Sequence, residues 1–69
     1  MKKGDRIRAK QQLSIREAND FQMLGILEGI VLKANPLIIE IDVGGDRYQV
    51  RIADEAKEKF GVIEEAKDE

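Results

Sequence analysis

Sixty-nine residues with 38% charged side chains, a net charge of −2 and neither cysteine nor histidine describe one small domain with no disulfide or thiolate metal site to brace it. A chain of this size buries only ~60% of its unfolded surface, so its stability is expected at the low end of roughly 5–15 kcal/mol unless a partner adds burial. No apolar run is long enough to cross a membrane, and Met1-Lys2-Lys3-Gly4 does not open a signal-peptide core, so a cytoplasmic or particle-associated protein is expected.

The charge is laid out unevenly. Residues 1–16 set six cations against Asp5 alone, a local +5, whereas residues 17–53 carry −3 and residues 54–69 carry −4. Residues 1–66 read as a single domain and 67–69 as an acidic tail.

Gly4-Asp5 opens a predicted strand over Arg6 to Leu13. Ile7 and Ala9 point one way and Arg6, Arg8 and Lys10 the other, at period 2. The plain reading is the solvated face of an edge strand, where Lys and Arg also discourage aggregation. The sharper reading is a phosphate-tracking ladder in which Arg6, Arg8, Lys10 and Arg16 bind RNA or single-stranded DNA. Stacking aromatics normally accompany such a ladder, and only Phe21, Tyr48 and Phe60 are available, so nucleic acid is disfavoured.

Ser14-Ile15-Arg16-Glu17 has capping-box spacing and predicts a short helix over 15–24 with Gly25 as its C′ residue; a long irregular excursion is the alternative. From Gly25 to Ala34 the apolar residues Ile26, Leu27, Ile30, Val31 and Leu32 fall on both faces. A strand apolar on both sides is central or covered by another chain, and Gly29 within it predicts a bulge or sharp bend. Asn35-Pro36 then turns the chain.

Leu37–Val43 and Asp46–Ile52 are β-rich runs joined by Gly44-Gly45, which predicts a hairpin with a tight two-residue turn of positive φ. That register sets Ile41 opposite Tyr48, Ile39 opposite Val50 and Leu37 opposite Ile52, all facing the core. It also sets Asp42 opposite Arg47 and Glu40 beside Gln49 on the other face. Beyond it, 54–60 is helix-friendly, with Asp54 as N-cap and Glu55/Lys59 as an i,i+4 pair. Gly61 leaves two readings: the helix runs on through Ile63, or Val62-Ile63-Glu64 forms a last strand.

Together these elements predict a mainly β fold with short helices near 15–24 and 54–60: a small SH3-like or OB-like barrel of about five strands. The segment Gly29-Ile30-Val31-Leu32-Lys33-Ala34-Asn35-Pro36-Leu37-Ile38-Ile39-Glu40-Ile41-Asp42 resembles the Gly-x-Val-x-x-x-Asn-Pro-Leu-x-Ile-x-Ile-Asp segment of small phage tail and baseplate proteins. The resemblance implies a hairpin of a small barrel without catalytic role, in a structural protein assembled into a larger particle.

The inventory of one serine and no threonine, cysteine or histidine provides no nucleophile–base pair, so no catalysis is expected. Glu40 with Asp42 reads as a solvated face, and Asp42 with Asp46 offers too few oxygens for a hard cation. No cofactor, metal or small-molecule substrate is implied. The expected function is a non-enzymatic interaction or structural module that self-associates or docks in an assembly. The candidate self-association residues are Ile26, Ile30, Leu32 and Ile38, in a symmetric dimer first and a ring second.

Overall fold

The computed structural model describes residues 1–21 and 25–66. It is mainly β: five antiparallel strands, β1 (Arg6–Ala9), β2 (Glu28–Ala34), β3 (Leu37–Val43), β4 (Asp46–Arg51) and β5 (Phe60–Glu64), form one sheet in the order β4-β3-β2-β1-β5. A 3₁₀ helix, Asp54–Lys59, joins β4 to β5. Ile7, Val31, Leu37, Ile39, Val50 and Ile52 are the largest fully buried side chains, and Phe60 of β5 completes the same core. All five strands turn one face to a common apolar centre, to which Ala18, between β1 and β2, and Ala56 of the 3₁₀ helix also contribute.

The central hairpin has the register its sequence predicts. Ile41 pairs with Tyr48, Ile39 with Val50, Glu40 with Gln49 and Asp42 with Arg47, and the Ile52 N–H donates to the Leu37 carbonyl, extending the ladder by one residue. Gly44 and Gly45 have φ of 62° and 89°, as a type I′ turn requires, and the Gly45 N–H donates to the Asp42 carboxylate. Nothing crowds a side chain at Gly45, so Gly45→Val tests backbone conformation alone. It is expected to cost about 1 kcal/mol or more, because a β-branched residue fits positive φ badly; a thermal melt indistinguishable from wild type would contradict the tight turn.

β2 is the strand that serves both halves of the sheet. Its first residues pair with β1 (Arg6 with Ile30, Ile7 with Gly29) and its later ones with β3 (Val31 with Ile39, Ala34 with Leu37). The register shifts between Val31 and Lys33, leaving Leu32 as the extra residue of a bulge. The expected irregularity is present, but its source is not Gly29. Gly29 instead permits close approach: a Cβ there would overlap the Glu40 carbonyl oxygen and lie 2.9 Å from Ile41 Cγ2. Asn35-Pro36, with a cis peptide bond, closes the β2–β3 hairpin.

Three expectations are corrected. β1 ends at Ala9, short of Leu13, and is no edge strand: β2 pairs on one side and β5 on the other. The predicted helix over 15–24 is a single turn, with 22–24 outside the described residues. Its capping box forms, Ser14 N–H donating to Glu17 Oε1 and Glu17 N–H to Ser14 Oγ. Asn19 and Asp20 then take positive φ, and the bonds from Asp20 N–H to Ile15 O and from Asn19 N–H to Arg16 O close a Schellman motif. Both ends of the helix are capped within one turn of each other. Finally, the segment predicted as a helix over 54–60 is 3₁₀ from Asp54 to Lys59, capped by Ala53 without a side-chain bond, not by Asp54. Its shorter period brings i and i+3 together, so Lys57 pairs with Asp54, and Lys59 turns away from Glu55 toward Glu17. Of the two readings after Gly61, the chain takes the strand.

Candidate interaction surface on the β1–β5 side

The long excursion between β1 and β2 is tied to the 3₁₀ segment where Lys10 N–H donates to Lys59 O and, at more points, by Glu17. Its carbonyl accepts from Ala53 N–H, one carboxylate oxygen accepts from Ser14 N–H, and the other accepts from the Lys59 ammonium. The Lys59 bond, followed by the Ser14 N–H, holds the Glu17 carboxyl down at about 2. A second carboxylate ties the ends of the chain. Buried Asp5 accepts from Ala66 N–H at 2.7 Å and Lys2 N–H at 2.9 Å, and these bonds lower its pKa.

Both carboxyls titrate lower in the folded state than unfolded. Their stabilisation is therefore complete above the ordinary carboxylate range and is lost as pH falls; for Glu17 the window runs from 4.5 down to about 2. The melting temperature is expected to hold from pH 7 to about 5 and to drop below that. Glu17→Gln should lower it at pH 7 and shrink the acid-dependent part; an unchanged pH profile in that variant would remove Glu17 as the anchor.

The basic residues are placed as follows. Arg6, Arg8 and Lys10 are all exposed, on the face opposite Ile7 and Ala9. Arg6 sits 3.7 Å from Glu28 and lies opposite Glu64, so the first rung of the ladder is offset by two acids. Arg16 is exposed on the capped turn, outside β1, which carries Arg6 and Arg8 and ends one residue before Lys10. Tyr48 lies on the core side of β4 but at its open end: it is 44% exposed, with its ring 5.9 Å from that of Phe21. The expectation that it faces the interior is corrected accordingly.

The four apolar residues singled out in the sequence do not form one patch. Ile26 packs against the core and reaches the β1–β5 side. Ile30 lines a hollow on the outer face among Arg6, Glu28, Glu40 and Arg47. Ile38 lies between Lys33 and Arg51 in the ladder, and Leu32 occupies the bulge. All four are half-buried.

The apolar surface that sequence reasoning missed is on β5. Val62 is 42% exposed and Ile63 52%. With Arg8, Lys10, Ile26 and Gly61 they line a shallow groove of about 340 Å³. The backbone there is open as well. Ala9 N–H donates to Leu27 O and Lys10 N–H to Lys59 O, so alternate β1 residues address β2 and β5. Ile7, in step with Ala9, addresses β2. Its partner Val62 thus directs N–H and C=O to the free edge of the sheet. A five-residue run that reads equally as helix or strand gives no sign of which neighbour it will lack.

Among the described residues no cluster of acids is arranged to hold a metal ion, and no helix is long and apolar enough to cross a membrane. No protein-family model, curated protein or solved structure matches the chain.

Proposed function

We propose that this chain is a non-enzymatic SH3-like interaction module that self-associates or docks within a larger assembly, a tail-like particle being one such setting. The observation that carries the reading is the outer edge of β5, which no strand pairs among the described residues and where two adjacent apolar side chains are exposed. The strand order, the long β1–β2 excursion, the bulged β2 and the 3₁₀ turn before the last strand support the SH3-like description. The supply of nucleophiles and bases, one serine with no histidine, cysteine or threonine, supports a binding role over catalysis.

Light scattering after size exclusion tests the reading. A mass above 7.8 kDa that rises with concentration is expected, and a monomer persisting at several hundred micromolar would contradict self-association. A nucleic-acid role draws on Arg8 and Lys10 beside the groove. A gel shift with a mixed oligonucleotide at about 50 mM salt decides it, since phosphate-driven binding is strongest at low salt; no shift is expected.

A further inference from the structure

We infer that the partner at β5 is a second copy of this chain, its β5 laid antiparallel to the first about a two-fold axis at Val62. The inference rests on the interaction-module reading and specifies its interface. Three features of the edge are self-complementary.

The first is the backbone. Val62 directs its N–H and C=O outward, so Val62 opposite Val62 of the second copy forms a hydrogen-bonded pair in which each residue donates to and accepts from the other. The second is the apolar surface. In that register Gly61 faces Ile63 of the second copy, and the exposed Val62 and Ile63 of both chains meet over the two grooves.

The third is charge. One end of β5 is flanked by Lys10, whose backbone N–H bonds to Lys59 O; the other continues into Glu64 and Glu65. Antiparallel pairing about Val62 brings the Lys10 end of each copy to the Glu64-Glu65 end of the other. Lys10 is already directed there: its Cε lies 3.6 Å from where a Gly61 Cβ would be, so the side chain crosses β5 over a residue that has none of its own. Parallel pairing would set like charges together. The extra residue at Ile63, where the β1–β5 register shifts, keeps the shared ladder short. The opposite edge of the sheet, β4, presents Arg47, Gln49 and Arg51, residues that resist edge-to-edge growth. A closed dimer follows, not a filament.

Sedimentation equilibrium on four full-length proteins tests this: wild type, Val62→Lys, Lys10→Glu, and Lys10→Glu combined with Glu65→Lys. Wild type should form a dimer and Val62→Lys should be monomeric, with circular dichroism showing both folded. Lys10→Glu should weaken the dimer by about tenfold, and the double charge swap should restore most of that loss. Rescue by the swap supports the interface even if Val62→Lys proves unstable. An oligomer that survives Val62→Lys, or a charge swap as weak as Lys10→Glu alone, would overturn the β5 interface while leaving self-association standing. If Ile38→Lys then dissociates that oligomer, the interface is the outer sheet face. A wild-type monomer at every concentration would overturn the interface and self-association together.

Discussion

Gly29→Val is expected to leave most of the protein unfolded at ambient temperature. At Gly29 the backbone of β3 comes so close that a Cβ would overlap the Glu40 carbonyl oxygen and press on Ile41 Cγ2. The obstacle is backbone, not the far end of a flexible side chain, so β2 and β3 would have to separate. They meet at the point where β2 passes from β1 to β3, with Ile30 paired to Arg6 on one side and to Glu40 on the other. Overpacking typically costs 1–3 kcal/mol where neighbours can move; here about 3 kcal/mol or more is expected. That is a large share of what a domain of this size holds in reserve. Urea denaturation of Gly29→Ala and Gly29→Val should show a graded loss, and wild-type stability in Gly29→Ala would contradict the close approach.

Ile39→Ala should be nearly as damaging. Ile39 is fully buried at the centre of β3, between Val31 on β2 and Val50 on β4. Truncation removes its burial and leaves a cavity at the centre of the core, for a cost of about 3 kcal/mol. Ile38, one residue earlier, faces the other way between Lys33 and Arg51. Ile38→Ala should cost less than ~1 kcal/mol, because the stems of those two side chains close over the gap. The contrast between adjacent isoleucines, measured by chemical denaturation, tests the register. Equal losses at both would mean that the sheet buries both faces equally.

The β3–β4 hairpin was legible because two independent signals agree there. Gly44-Gly45 sets the turn, and the alternation of Leu37, Ile39 and Ile41 against Tyr48, Val50 and Ile52 sets the faces. The mainly β architecture followed from it. What failed were inferences about neighbours. Period-2 alternation from Arg6 to Lys10 identifies two faces but cannot say how many strands flank them, so β1 reads as an edge when it is interior. The apolar run Ile26–Leu32 suggests a face that needs another chain, but Leu27 and Val31 are buried in the core of the single chain and Ile26, Ile30 and Leu32 are half-buried in it. The capping box at Ser14 is a true start signal, and the stop signal, Asn19 in the left-handed region, comes one turn later.

The site itself was least legible. Glu17 and Lys59 are 42 residues apart, and each has an acceptable local partner in the sequence, so nothing in the sequence selects the pair the fold makes. Val62 and Ile63 sit in a segment whose two readings, helix or strand, predict different exposed faces. Only the pairing of β5 with β1 on one side, and with no strand among the described residues on the other, marks them as a surface.

Amide hydrogen exchange at Val62, followed as a function of protein concentration, addresses the central claim most directly. Interior amides such as Ala9, bonded across to Leu27, should be protected at every concentration because they open only with the sheet. The Val62 amide points to the free edge in a lone molecule and should exchange quickly in dilute solution, then gain protection over the same concentration range in which mass doubles. A Val62 amide that exchanges equally fast at micromolar and near-millimolar concentrations, beside a protected Ala9, would contradict the account.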